Sequence, residues 1–224
     1  TAESVTKNQI ISVKDSQSPT IVCRDTIILA AGAYQCNATK TLVSAPLSIT
    51  DCSDFTISHA LFLPNGTSAS QYLSTNQTNT YIEGLPVGEY YIQYIVTDVC
   101  QNQTICESTV IVEDTSPPYP ACDGLTKVAL DANGKGRIFA TTFDDGSTDN
   151  CGIASFKARK MTDLCGFGLA YGDYVDFCCA ELGQTIMVAL EVTDHYGNKN
   201  TCMVEVKVED KLKPTLNCPP DITL

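Results

Sequence analysis

The sequence predicts an all-β protein made of two tandem antiparallel β-sandwiches that are cross-linked by disulfides. Three observations predict this fold: an internal repeat, strands in which apolar and polar residues alternate, and 12 Cys among 224 residues. A chain of this length can form one or two domains that each bury a core. Its formal charge of -12 argues against binding to nucleic acid or to anionic membranes.

The internal repeat sets the domain organisation. Cys106 and Asp114 recur as Cys202 and Asp210, 96 residues later, while earlier landmarks of the unit recur after 99 residues. Landmarks that stay in register over such a distance indicate two copies of one structural unit. The predicted parts are the terminal strand of a preceding unit at 1–15, sandwiches at 16–114 and 115–210, and the first strand of a following unit at 211–224.

Alternation with a period of two identifies the strands of each unit. Residues 90–97 and the corresponding residues 186–193 carry apolar side chains at every second position. The next strand of the second unit places Val204, Val206 and Val208 on one face and charged residues on the other. This pattern is typical of half-buried strands. Several short strands in units of roughly 100 residues predict immunoglobulin-like sandwiches. No run of roughly 18 apolar residues occurs, so we expect no membrane insertion.

Four motifs resemble the hyalin repeat, or HYR, module. They are Pro-Val-Gly-x-Tyr at 86–90, Asp-Asn-Cys-Gly at 149–152, Val-Thr-Asp-x2-Gly-Asn-x3-Cys at 192–202, and the opening-strand motif at 218–223. The sequence is similar to long secreted and surface proteins of Bacteroidota-type bacteria. The resemblance implies an extracellular immunoglobulin-like module that serves in adhesion or as a structural spacer, without catalytic residues. Departures are Gln101 where glycine is usual, and the missing Pro-Val-Gly element in the second unit.

The cysteines favour disulfides over metal or nucleophile chemistry. No pair of Cys-x2-Cys motifs is present, and only His59 and His195 could serve as a base for a cysteine nucleophile. Strand phase points the first and last cysteines of each unit into the core, and Cys52 should meet Cys100 at one end of the first sandwich. The predicted bonds are Cys23–Cys106, Cys122–Cys202 and Cys52–Cys100, with Cys151 bonded to Cys165, Cys178 or Cys179. Cys36 and Cys218 remain as candidate intermolecular thiols.

An oxygen-rich loop is a candidate calcium site. Asp144, Asp145 and Asp149 supply carboxylates of the kind that calcium prefers. The alternative is an acidic solvated turn with side-chain caps. Glu113-Asp114 and Glu209-Asp210, at the ends of the units, form a weaker second candidate. No other cofactor is expected.

Several short motifs are candidate glycosylation sites. Asn-x-Ser/Thr sequons are glycan acceptors in eukaryotic secretory proteins. An Asp-Thr-aliphatic triplet resembles a bacterial O-glycosylation site. The candidate residues are Asn37, Asn65, Asn76, Asn102 and Thr26.

These observations favour a structural repeat unit of an extracellular filament, stalk or surface adhesin over an enzyme, because no nucleophile or acid/base pair stands out. The alternative is an adhesion or ligand-binding module, for a glycan or a protein, within a larger secreted protein. Residues 5–14 and 214–224 are apolar and strand-like. The expected partners are therefore other copies, docked head to tail, or further repeats that continue covalently.

Overall fold

A computed structural model describes residues 4–76 and 79–213 of the chain. Within them the chain divides into two compact units, one containing residues 4–32 and 36–113 and the other residues 33–35 and 114–213. The predicted all-β class is confirmed, because the helical segments of the described residues are three short 3-10 turns. None of the described segments forms a helix with the length and apolarity needed to cross a bilayer.

The first unit is an immunoglobulin-like sandwich of ten strands. Its largest sheet has the strand order β3-β2-β10-β9-β6, with β4-β8-β7 and β1-β5 forming smaller sheets. The strands are β1 Thr20–Val22, β2 Thr26–Gly32, β3 Gln35–Ala38, β4 Thr41–Leu42, β5 Ser48–Thr50, β6 Phe55–Phe62, β7 Leu73–Thr75, β8 Thr80–Ile82, β9 Gly88–Asp98 and β10 Gln103–Glu113.

The second unit repeats this design with six strands. The sheet β11-β16-β15-β13 is accompanied by the pair β12-β14. The strands are β11 Leu125–Ala129, β12 Lys135–Phe139, β13 Ile153–Lys160, β14 Tyr174–Cys178, β15 Thr185–Asp194 and β16 Lys199–Glu209.

The predicted alternation decides which residues form each core. In β9 the side chains of Tyr90, Ile92, Tyr94 and Val96 are all at most 5% exposed, as expected for one face of a strand. The corresponding residues of β15 are buried as well. A long antiparallel hairpin, β9–β10 in one unit and β15–β16 in the other, therefore supplies the centre of each core.

Each unit contains one parallel pair of strands in its main sheet. There β2 pairs with β10, and β11 pairs with β16, in parallel. The first long strand of each unit therefore runs beside the last one in the same direction. A parallel neighbour needs a long connection between the two strands, and the intervening strands of the sandwich provide it.

The N-terminal residues differ from their expected strand conformation. Residues 4–19 form no strand, and Ile10, Ile11 and Val13 are 79–95% exposed. Their sequence is strand-like, but no described strand pairs with them, and a strand is stable only when its backbone groups are paired. The predicted strand at the other end lies mostly at 214–224, outside the described residues.

Candidate functional site

The candidate site lies at one end of the second unit, where three carboxylates converge. Asp114 is the first residue of the unit, Asp149 lies in the loop before β13, and Asp194 ends β15. One carboxylate oxygen from each lies within 4.8 Å of those of the other two. Asp114 is 6% exposed and Asp194 is 2% exposed, so most of this charge is removed from water.

The Asp194 carboxylate closes the turn between β15 and β16. Its Oδ1 accepts hydrogen bonds from the backbone N–H groups of Tyr196 and Asn198, both at 2.8 Å. Its Oδ2 accepts one from Nδ2 of Asn198, also at 2.8 Å. The same amide donates to the carbonyl oxygen of Asp114 at 3.1 Å. Asn198 thus connects the start of the unit to the end of its central strand.

The other two carboxylates each keep one oxygen without a partner. Oδ1 of Asp114 accepts from the Ser116 N–H and from Nδ2 of Asn150, both at 3.1 Å. Oδ1 of Asp149 accepts from the Cys151 N–H at 2.8 Å. The Oδ2 atoms of Asp114 and Asp149 are buried and accept no hydrogen bond within the described part of the chain. Buried carboxylate oxygens without a donor are unusual, and a bound water, ligand or ion would satisfy them.

The first unit has a related end with different chemistry. Asp98 caps its turn through the N–H of Asn102 at 2.8 Å and Nδ2 of the same residue at 2.7 Å. Here, however, the Cys52 thiol donates to Oδ2 of Asp15 at 3.0 Å. The neighbouring carboxylate raises the pKa of the Cys52 thiol to about 11, and the thiol holds the pKa of Asp15 below its usual value. Asp15, Asp51 and Cys52 form the corresponding cluster of potential ligands.

The three residues of the predicted calcium site, Asp144, Asp145 and Asp149, do not form one ligand cluster among the described residues. The carboxylate of Asp144 accepts from the N–H groups of Gly146 and Ser147, as in a capped turn, and Asp145 is exposed. Neither belongs to a ligand cluster among the described residues, whereas Asp149 joins Asp114 and Asp194. The backbone of the loop turns between these carboxylates and separates neighbours in sequence.

Core disulfides are present at the same place in each unit. The structure contains Cys23–Cys106 and Cys122–Cys202, which close loops of 83 and 80 residues. Each links the first long strand region to the last strand of its unit. In the chain-entropy model a loop of this size stabilises the folded state by about 4 kcal/mol.

The remaining cysteines differ from expectation. Cys165 bonds to Cys178, and Cys151 is disulfide-bonded but to none of the three predicted partners, since Cys179 is a free, exposed thiol. Cys36, expected as an intermolecular thiol, is also disulfide-bonded. The predicted Cys52–Cys100 bond is not formed. Cys218 lies outside the described residues.

Cys52 and Cys100 nevertheless lie at the same end of the first unit. Phe55 of β6 pairs with Asp98 of β9, and the Val99 N–H donates to the Asp54 carbonyl at 3.2 Å. Strand pairing thus brings both cysteines to this end, as the repeat predicted. Both are exposed free thiols, because the Cys52 Sγ–H bonds to Asp15 instead.

The candidate glycosylation sites differ in their exposure and in the hydrogen bonds they make. Asn65 and Asn76 are exposed, as is Thr26 at the start of β2, while Asn37 is half-buried in β3. Asn102 is different, because its Nδ2 donates both to Asp98 and, at 3.3 Å, to the Asp15 carbonyl. A glycan on this nitrogen would replace one of these two bonds. The Asn102 sequon therefore has a structural role in the turn.

Among the described residues, neither histidine is placed as a catalytic base, and two tyrosines of β9 belong to the core. The side chains of His59 and His195 make no hydrogen bond to a nucleophile or carboxylate among the described residues, and burial lowers the pKa of His59. Tyr90 and Tyr94 are buried and donate to the carbonyls of Pro86 and Ser44. Their rings are thus part of the core.

Comparison with solved structures shows the same fold. The N-terminal eight Ig domains of Down Syndrome Cell Adhesion Molecule match 89% of this chain, with a TM-score of 0.50 and 13% identity. Weaker matches are domains 3–5 of Drosophila OTK, with a TM-score of 0.47, 11% identity and 86% of this chain, and four Ig domains of Dscam1, with 0.46, 12% and 87%. This chain spans 28%, 62% and 46% of those three chains.

No protein-family model matches the chain, and no curated protein sequence matches it either. The HYR assignment therefore rests on the motifs, and the structural likeness establishes the immunoglobulin-like fold alone.

Proposed function

We propose that the chain is a structural repeat segment of an extracellular filament, stalk or surface adhesin, made of HYR-like units. The repetition of one design carries this proposal. Each unit has a long central hairpin, a parallel strand pair, a disulfide from its first strand region to its last strand, and an Asp–Asn pair that closes the hairpin turn. Repeated modules that are individually cross-linked suit a load-bearing or spacing role.

The disulfides support a location outside the cytosol. Eight cysteines of the described residues are disulfide-bonded, and such bonds persist in oxidising compartments. The fold is also that of Down Syndrome Cell Adhesion Molecule, whose name describes an adhesion function. We therefore extend the proposal to the cell surface or the extracellular space.

The exposed N-terminal segment supports assembly in a line. Ile11 and Val13 align with Val110 and Val112 of β10, 99 residues later, which are at most 1% exposed in the core. In residues 4–14 the same pattern has no strand beside it among those described. We propose that this segment supplies the last strand of a preceding unit, either in a neighbouring copy of the chain or in a covalently continuous array.

Light scattering of the full chain over a range of concentrations tests assembly between copies. Substituting Ile11→Asp and Val13→Asp should abolish association, because both charges would enter a core. Ile10→Asp is the matched control, since Ile10 is 95% exposed and aligns with Thr109 on the opposite face. A full chain that stays monomeric at high concentration would refute assembly between copies and leave a covalent array or an adhesion module.

A further inference from the structure

We propose that Asp114, Asp149 and Asp194 of the second unit form a calcium-binding site. The proposal does not depend on filament assembly. It replaces the predicted site at Asp144 and Asp145 and is carried by the geometry of three carboxylates from distant parts of the unit.

The distances suit one cation. Calcium binds oxygen ligands at roughly 2.3–2.6 Å, so two ligands of one ion lie at most about 5 Å apart. The ligand atoms of the three aspartates lie within 4.8 Å of one another. Carboxylates are hard ligands, and six to eight oxygens are typical for calcium, so water would complete the shell.

The hydrogen bonds leave places for an ion. The Oδ2 atoms of Asp114 and Asp149 are buried and accept no bond from any described residue, although Asp114 is 94% buried. The donors that reach these two carboxylates bond to the other oxygen: Ser116 and Asn150 to Oδ1 of Asp114, and the Cys151 N–H to Oδ1 of Asp149. A cation would satisfy both bare oxygens at once.

The charge has no other compensation within the described residues. Nine ion pairs connect their side chains, and none includes one of these three aspartates. Three carboxylates held together in a largely dry position repel one another, and buried charges normally have a counter-charge. A divalent cation supplies that counter-charge, and it would fasten the first residue of the unit to the ends of β15 and of the loop before β13.

The first unit has different potential ligands at the matching positions. At a spacing of 99 residues, the position of Asp149 is occupied by Thr50 in the first unit. The Oδ2 atom of Asp15, which corresponds to Asp114, already accepts the Cys52 thiol. The cluster of the first unit instead consists of Asp15, Asp51 and the Cys52 thiol, with Oδ2 of Asp51 as its bare oxygen, so a thiol stands where the second unit has a third carboxylate.

Titration calorimetry on the full chain, after removal of metals with EDTA, tests the site. We expect one Ca²⁺ per chain, weaker binding of Mg²⁺, and a melting temperature that rises with Ca²⁺ concentration because only the folded state binds the ion. Asp149→Asn should weaken Ca²⁺ binding at least about 10-fold. Asp145→Asn, an exposed position four residues away, is the matched control and should bind like the native chain.

A second readout separates metal binding from a purely structural role. In EDTA, Asp149→Asn should be at least as stable as the native chain, because one repelling charge is gone, while its Ca²⁺-dependent rise in melting temperature should be lost. A lower melting temperature in EDTA, with the Ca²⁺ response intact, would overturn the proposal. So would the absence of binding at millimolar Ca²⁺, or equal binding by the native chain and Asp149→Asn. If Asp149→Asn does not fold, Asp114→Asn provides the same comparison.

Discussion

The two units share one strand framework, but two of its core positions carry apolar side chains in the first unit and charged side chains in the second. Leu61 of β6 and Leu85 before β9 are both fully buried in the first unit. The repeat aligns them, at spacings of 99 and 96 residues, with Lys160 and Glu181 of the second unit, which are 2% and 0% exposed. An apolar pair in one unit is thus an ion pair in the other.

The ion pair is well supported by its surroundings. Nζ of Lys160 lies 2.7 Å from Oε1 of Glu181, whose Oε2 accepts the Cys178 N–H at 3.3 Å. The aromatic rings of Phe167 and Phe177 lie 5.4 Å from the ammonium group. Cys178 is also bonded to Cys165, a bond that the corresponding residues 62–84 of the first unit cannot form because they contain no cysteine. The sandwich therefore tolerates a buried charge pair where a local cover, here the segment 161–178, packs around it.

The cover itself depends on a carboxylate. Asp163 accepts backbone N–H groups from Cys165, Phe167 and Gly168, and the bond from Gly168 is the main reason why the pKa of Asp163 is lowered. Asp163 also lies 3.9 Å from Nζ of Lys160. One side chain therefore orders the loop and adds to the charge balance below it.

Breaking the ion pair should have the largest effect. Glu181→Gln leaves the buried ammonium of Lys160 without its main counter-charge and should lower the free energy of unfolding of the second unit by about 3 kcal/mol. Asp163 remains nearby, which keeps the loss at the low end of the range for buried pairs. Urea unfolding, with hydrogen exchange to assign the loss to a unit, measures it.

The double substitution Lys160→Leu with Glu181→Leu copies the first unit and provides the control. We expect it to restore most of the lost stability or to exceed the native value, since replacing both charges removes their desolvation cost. A double variant as unstable as Glu181→Gln would show that the surrounding core cannot accept the leucine pair of the first unit.

A second difference concerns Cys52, whose hydrogen bond to Asp15 has no counterpart in the second unit. The Asp15 carboxylate favours the protonated thiol, so little thiolate exists below the raised pKa of about 11. Asp15→Asn should lower that pKa and speed alkylation of Cys52 at pH 8 by about 10-fold. The alkylation rate rises less than the thiolate fraction does, because a less basic thiolate is also less nucleophilic.

Mass spectrometry of a Cys100→Ser background measures this rate without oxidation between the two thiols. The exposed thiol of Cys179 serves as an internal reference whose rate should not change. Equal rates for Cys52 with and without Asp15 would mean that the hydrogen bond does not control its reactivity.

The smallest expected effect lies in the hairpin turns. Gln101 has a φ of 71°, a left-handed conformation that costs an ordinary residue about 1 kcal/mol or more, whereas the second unit has Gly197 with a φ of 89°. Gln101→Gly should therefore stabilise the first unit by about 0.5–1 kcal/mol, after the added freedom of glycine in the unfolded chain is subtracted.

The reciprocal change, Gly197→Gln, should destabilise the second unit by a similar amount in the same urea assay. If neither substitution changes stability, the left-handed turn is not strained and this difference between the units is neutral.

The sequence by itself determined the architecture of this protein. A period of two and a repeat spacing of 96 to 99 residues predicted which residues of β9, β15 and β16 are buried, and strand phase placed Cys122 opposite Cys202. These features depend on short-range geometry, since alternate residues of a strand face the same side. The repeat alignment also indicates that Lys160 is buried, because the corresponding residue of the first unit is a buried leucine, and a buried lysine needs a counter-charge.

The tertiary structure alone decided which polar side chains meet. Asp144 and Asp145 are close to Asp149 in sequence. The carboxylate of Asp149 nevertheless lies near those of Asp114 and Asp194, which are distant in sequence. The Cys165–Cys178 bond and the position of Glu181 likewise depend on the path of the chain between β13 and β15. Turns and side-chain caps set the path of a loop, and the alternation of apolar residues does not encode that path. The positions of polar side chains on loops therefore become known only from the folded chain.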